Sequence, residues 1–190
     1  MNGRLVTVSA VTSVALIALA LTLDGTGQIG WETAARWTAR HSFLWFLAAF
    51  SATAFAHRRG LGLSFAAAHF IHFYAVLQAL GHGVQRPVFV FAIGGAGYVL
   101  LAAMALTSND WSQRALGRWW KRLHRVGIWT LFAIFFVNYV GRIARPGSQL
   151  IGVWGVALLM GVALFKIWPG LRRIRTAPSS PPSSAAPGEP

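Results

Sequence analysis

Apolar residues in this chain gather into six stretches, each about as long as a bilayer is thick, separated by short polar turns. The stretches run from Leu5 to Leu23, Thr38 to Ala56, Leu61 to Leu80, Pro87 to Leu106, Leu123 to Val140 and Leu150 to Trp168. About 20 residues rising ~1.5 Å each cross a ~30 Å hydrocarbon layer. Hydrocarbon offers the backbone no water, and the alternation of barrel strands is missing, so the pattern predicts helices. Turn formers sit between them: Asp24-Gly25, Arg58-Arg59-Gly60, Gly81-His82-Gly83, Asn109-Asp110 and Pro146-Gly147. The expected fold is all-α, a polytopic bundle of six transmembrane helices over residues 1–175. The Pro/Ser/Ala-rich residues 176–190 are expected to form a disordered cytoplasmic tail.

Composition agrees with that pattern. Hydrophobic residues make up 55% of the 190 and charged residues only 11%, with a mean hydropathy of +0.54. A soluble domain of this length is more polar. The formal net charge of +13 does not indicate nucleic acid, because the cations lie between apolar segments instead of interleaving with polar helix faces. They read as topology signals. One side collects Arg4, Arg58, Arg59, Arg114, Arg118, Lys121, Arg122, Arg125, Lys166, Arg172, Arg173 and Arg175; the other has Arg36, Arg40, Arg86, Arg142 and Arg145. The positive-inside rule then puts both termini in the cytoplasm of a bacterial inner membrane. Met1 to Arg4 could also serve as the n-region of a signal peptide, but the apolar run that follows is longer than an h-region needs, so a retained helix is expected. The chain has no cysteine, which excludes disulfides, thiolate catalysis and iron–sulfur ligation.

Against this apolar background the histidines stand out. His69 and His72 lie three residues apart inside the third stretch, on one helix face, and His124 opens the fifth. An ionisable, metal-ligating side chain at membrane depth is costly unless it has a use. Two histidines on one helix cannot approach a single haem iron from both faces of the porphyrin, so a bis-imidazole site needs a second helix, and His124 supplies the candidate. The third and fifth helices run parallel, so the three rings are expected at similar depth. Phe65, Phe70, Phe73, Trp129 and Phe132 could pack on a porphyrin, and Arg58, Arg59, Arg122 or Arg125 could meet its carboxylates. His41, His57 and His82 sit near helix ends or turns, where a solvated imidazole costs little. Gly94-Gly95-Ala96-Gly97 lies within a span, which points to close helix packing and not to a phosphate loop.

Two blocks carry a family likeness. Arg58-Arg59-Gly60-Leu61-Gly62-Leu63 leads to His72, and Leu106-Thr107-Ser108 precedes Leu116-Gly117-Arg118-Trp119-Trp120-Lys121-Arg122-Leu123-His124. Together they resemble the ferric reductase-like transmembrane domain, and within it the haem-binding membrane subunits of bacterial methionine sulfoxide reductase systems. The resemblance implies a b-type haem passing electrons across the membrane. It also implies His72 and His124 as iron ligands; His69, outside the family's pattern, is the alternate because its expected depth matches that of His124. The family carries a further histidine about 13 residues after the His124 position, where this chain reads Phe136-Val137-Asn138-Tyr139. A single haem is therefore expected, with His69 or His82 the candidates to compensate on the outer side. The stretch after Trp168 holds no glycine-rich nucleotide motif, so electrons are expected from a cytoplasmic flavoprotein or a quinol, and a periplasmic protein could accept them. Two rival readings use the same residues. One is a membrane metal-binding or transport protein using His69, His72 and His124; the other is a cofactor-free scaffold.

Overall fold

A computed structural model describes residues 2–52 and 55–175. Among them are seven helices: α1 (Asn2–Asp24), α2 (Gln28–Ser51), α3 (Phe55–Gly81), α4 (Val88–Leu106), α5 (Asp110–Leu116), α6 (Arg118–Ile143) and α7 (Gln149–Arg175). Five of these, α1, α3, α4, α6 and α7, are long and apolar enough to cross a membrane. The all-α membrane bundle is the expected class. The tail expected to be disordered, 176–190, lies outside the described residues.

The second helix differs from its expected form. It begins at Gln28, ten residues before Thr38, and takes in Glu32, Arg36 and Arg40, so its composition fails the test for a lipid-exposed span. The reason lies in the packing. Gly30, Thr33, Ala34, Ala35, Thr38, Ser42, Phe43, Phe46, Leu47, Ala49 and Phe50 are all buried, which leaves little of the helix to face lipid. A helix enclosed by protein does not need to be apolar all round. Its neighbours are α1 and α3 on one side and α7 on the other. Buried hydroxyls join α1 to this group, Ser9 Oγ donating to the Ser64 carbonyl at 2.6 Å. Such bonds replace the hydrophobic drive that lipid cannot supply between helices.

The other half is built on α6, packed against α4 and α7. The short α5 was not anticipated. Asn109 caps it by accepting from the Ser112 amide at 2.7 Å, and Gly117, at φ +48°, lets the chain turn straight into α6. Gly127 allows α4 and α6 to approach, because a Cβ there would collide with the Met104 side chain. In the Gly94–Gly97 cluster only Gly97 has a packing role, against Ile134 and Leu131; Gly94 and Gly95 face open space.

Contacts between loops define two ends of the bundle. At one, Arg86 pairs with Glu32 at 3.6 Å and Trp31 meets His82. At the other, Arg59 pairs with Asp110 at 2.7 Å. The aromatic core, Phe43, Phe46, Phe50 and Phe65 with Phe132 and Phe135 packed on it, lies between them.

Candidate cofactor site

The two α3 histidines are held by α2. Thr38 Oγ1 lies 3.2 Å from His72 Nδ1, and Ser42 Oγ lies 3.0 Å from His69 Nδ1. Each hydroxyl already gives its own hydrogen to a helix carbonyl, Thr38 to Ala34 at 2.7 Å and Ser42 to Ala39 at 3.0 Å. With the hydroxyl hydrogen on the carbonyl, the imidazole donates from Nδ1 and Nε2 is the nitrogen open to a ligand; His72 in addition bonds to the Ala35 carbonyl. Metal-ligating histidines are commonly oriented in this way, by a hydrogen bond to the nitrogen that does not bind. The two ring centroids are 5.4 Å apart. His69 stacks on Tyr98 of α4 at 4.7 Å and touches Phe65 at 5.2 Å and Phe135 at 5.7 Å.

His124, on the second turn of α6, has different surroundings. Its Nδ1 lies 3.1 Å from the Trp120 carbonyl and its Nε2 3.2 Å from the Met104 carbonyl, while the Trp120 ring stacks on it at 4.1 Å. A neutral imidazole carries one N–H, so only one of these carbonyls receives a hydrogen bond. The other nitrogen holds its lone pair against an oxygen. Ser108 Oγ, 3.4 Å from Nε2, gives its hydrogen to Met104 and does not relieve this. Such a nitrogen gains from any electrophilic partner.

His124 lines a cavity of ≈ 710 Å³, within the range of cofactor-sized pockets. Phe65, Leu101, Met104, Ile128, Trp129 and Leu131 give it apolar walls. Arg58, Arg59, Lys121, Arg125 and Lys166 also line it, with Asp110 their one acid. Arg122, expected among the carboxylate partners, instead lies over the Trp119 ring at 5.0 Å. Sequence reasoning read Lys166 only as a topology marker, yet it donates to the Phe50 carbonyl and lies over the Phe50 ring at 4.4 Å. Of the expected aromatics, Phe65 and Trp129 line the cavity, Phe132 packs behind them on Phe50 and Trp129, and Phe70 and Phe73 gather on Tyr98 instead.

The structure brings His69 and His72 together and sets His124 apart. Phe135, which touches His69, lies eleven residues beyond His124 on the same helix, a rise of about 16 Å. Similar depth is therefore the expectation the structure revises. Counting from the start of each apolar stretch misled because α6 begins at Arg118 and its first turns reach past the level of the bundle core. Among the described residues, no three His, Cys, Asp or Glu side chains converge as a metal site would need. His57 and His82 are exposed. His41, expected near a helix end, packs within α2 against α1, its Nε2 accepting from Trp45 Nε1 at 3.1 Å and lying 3.0 Å from Thr12 Oγ1.

Fold and site together define a polytopic, all-α membrane protein with oriented imidazoles in its interior and a cation-rimmed cavity beside another. Its curated relatives carry one description. The chain is 33% identical over 132 residues (64% of this chain, 60% of the relative) to the protein-methionine-sulfoxide reductase heme-binding subunit MsrQ of Rhizobium meliloti (strain 1021). It is 30% identical over 120 residues (58% of this chain, 54% of the relative) to the protein of that name from Agrobacterium fabrum. Against the Brucella anthropi protein it reaches 40% over 79 residues, 37% of this chain and 35% of the relative. These relatives bear out the resemblance carried by the motifs, although the chain spans 60% or less of their length. No family model matches, and no solved structure matches.

Proposed function

We propose that this chain is a multi-pass membrane subunit that binds haem b and passes electrons across the bilayer. The observation that carries the reading is the set of imidazoles in the bundle interior, two of them anchored through Nδ1 by α2 hydroxyls with Nε2 left for a ligand. A haem supplies a one-electron iron couple when bound. His72 and His124, with His69 the alternate, are the residues that would hold it. His72 is the position that matches the family motif. His69 is nearer the cavity, because it shares a face of α3 with Phe65, which lines it. Because Phe135, which touches His69, stands about 16 Å along α6 from His124, holding one iron between an α3 histidine and His124 would require α6 to move along the bundle.

The rest of the site has roles that follow from its chemistry. Apolar walls exclude water and so favour outer-sphere transfer over oxygen chemistry. Arg58, Arg59 and Arg125 can hold the propionates in charge-assisted hydrogen bonds. Asn138 cannot replace the missing histidine: its amide donates to the Ile134 carbonyl at 2.9 Å and its side chain is exposed. One haem per chain follows. The relatives are named as subunits, so the same reading gives this chain a partner that uses the electrons on the periplasmic side. A cytoplasmic flavoprotein or quinol would supply them, to a protein with both termini in the cytoplasm of the inner membrane.

Visible spectroscopy of the purified protein, before and after dithionite, tests the reading. The expected result is a Soret band, α and β bands on reduction, and pyridine haemochrome near one per chain. A bound metal ion without a Soret band would replace this reading with the transport reading. Neither signal would leave a scaffold.

A further inference from the structure

Positive-inside topology explains the twelve basic residues on one side of the chain, but it leaves the five on the other side without a reason. The structure gathers four of these five, Arg40, Arg86, Arg142 and Arg145, and leaves Arg36 on Glu32. Phe43 of α2 packs on Tyr139 of α6 at 4.5 Å. Arg40, one turn from Phe43, is therefore beside Arg142, one turn from Tyr139, and Arg142 lies over the Tyr139 ring at 6.0 Å. Arg145 follows in the turn after α6, its amide bonded to the Arg142 carbonyl at 3.1 Å. The charges of Arg40, Arg86 and Arg145 all act on Arg142. Compensation is thin. Glu32 serves both Arg86 at 3.6 Å and Arg36 at 3.9 Å, and among the described residues no acid pairs with Arg40, Arg142 or Arg145. Arg142 is moreover half-buried, where like charges repel more strongly than in open water.

We propose that this end of the bundle is an electrostatic docking surface for an acidic-faced protein partner, centred on Arg40, Arg142 and Arg145. Clustered charge of one sign attracts the opposite sign, orients the encounter and raises its rate, with a strong dependence on salt. The location suits a redox partner, because Arg40 lies two residues along α2 from Thr38, whose hydroxyl meets His72 at 3.2 Å. The redox role of that partner rests on the electron-transfer reading above; the acidic complement does not.

Because the chain has no cysteine, a single Gln85→Cys substitution allows a fluorophore to report binding at this end alone, and Ala115→Cys reports the opposite end. The probe is poly-L-glutamate, added to the full chain in nanodiscs of neutral phosphatidylcholine. The Gln85 reporter should titrate at low salt, with the midpoint rising about tenfold in the Arg40→Gln/Arg142→Gln/Arg145→Gln variant. The matching Arg→Lys variant should keep the response, and the Ala115 reporter should not respond to either set of substitutions. An unchanged midpoint in the Gln variant overturns the proposal. So does a response abolished by phosphatidylglycerol in the disc, which would make lipid headgroups the occupant. In a haem-loaded sample reduced by dithionite, the Gln variant should be reoxidised several-fold more slowly by anionic ferricyanide and no more slowly by cationic hexaamminecobalt(III); equal slowing by both would overturn the docking role. A sample with no haem signal defeats the electron-transfer reading and leaves the binding measurement intact.

Discussion

The α3 histidines and His124 occupy the same bundle but in opposite conditions. His69 and His72 are tethered, each ring held by an α2 hydroxyl that also reaches a helix carbonyl. His124 is loosely satisfied, with two carbonyls competing for one N–H, beside a cofactor-sized void. The first arrangement fixes a ligand's direction in advance; the second provides room and charge. The haem site proposed above draws on both, and Phe65, which touches His69 and lines the cavity, belongs to each.

The sharpest way to break that comparison is to remove one imidazole at a time. His124→Ala is expected to abolish the low-spin haem spectrum, while His41→Ala and His57→Ala leave it unchanged. Of His69→Ala and His72→Ala, the one that also abolishes it identifies the α3 ligand, and a normal spectrum in His124→Ala would overturn the assignment of His124. A smaller effect should come from the tethers. Ser42→Ala is expected to weaken haem retention about tenfold if His69 is the ligand, and Thr38→Ala to do so if His72 is. Haem transfer to apomyoglobin measures both.

Packing changes should act below that level. Gly155→Ala drives a Cβ into the Tyr139 ring, whereas Gly161→Ala meets open space. The first should destabilise the α6 and α7 half by about 1–3 kcal/mol and the second should not; thermal unfolding in detergent followed by circular dichroism compares them. Least of all should be Asp110→Asn. Its bridge to Arg59 is largely exposed, with side-chain accessibilities of 36% and 71%, so a stability change under about 1 kcal/mol is expected. A larger loss would mean that the cavity rim supports the fold as well as a ligand.

Much of this was readable from residue order. Length and hydropathy gave α1 and α4 to within three residues and the apolar parts of α3, α6 and α7, which each run five to seven residues further at one end, because lipid-facing segments must be apolar while the turns beyond them need not be. The method missed the first ten residues of α2 for the complementary reason: protein, not lipid, encloses that helix, and Glu32 and Arg36 conceal it from any measure of apolarity. His69, His72 and His124 were conspicuous as polar exceptions. Their partners were less so. Thr38 and Ser42, four residues apart like a helix turn, form a ladder that matches His72 and His69, a signal visible in the sequence but meaningless until α2 is known to lie beside α3. The depth of His124 was not legible, since it depends on α5 and on where α6 starts, and the role of Lys166 depends on how α7 crosses the end of α2.

The enclosed polar character of α2 also bears on how the molecule is made. Glu32, Arg36 and Arg40 lie toward its N-terminal end, at the end of the bundle where Glu32 pairs with Arg86, so they oppose insertion far less than charges at mid-membrane would. It emerges from the ribosome after α1 and before α3, the two helices that shelter it. Its buried Thr38 and Ser42 meet their imidazole partners only once α3 has been synthesised, so a chain truncated before Phe55 should hold α2 in the membrane without the packing that fixes its place.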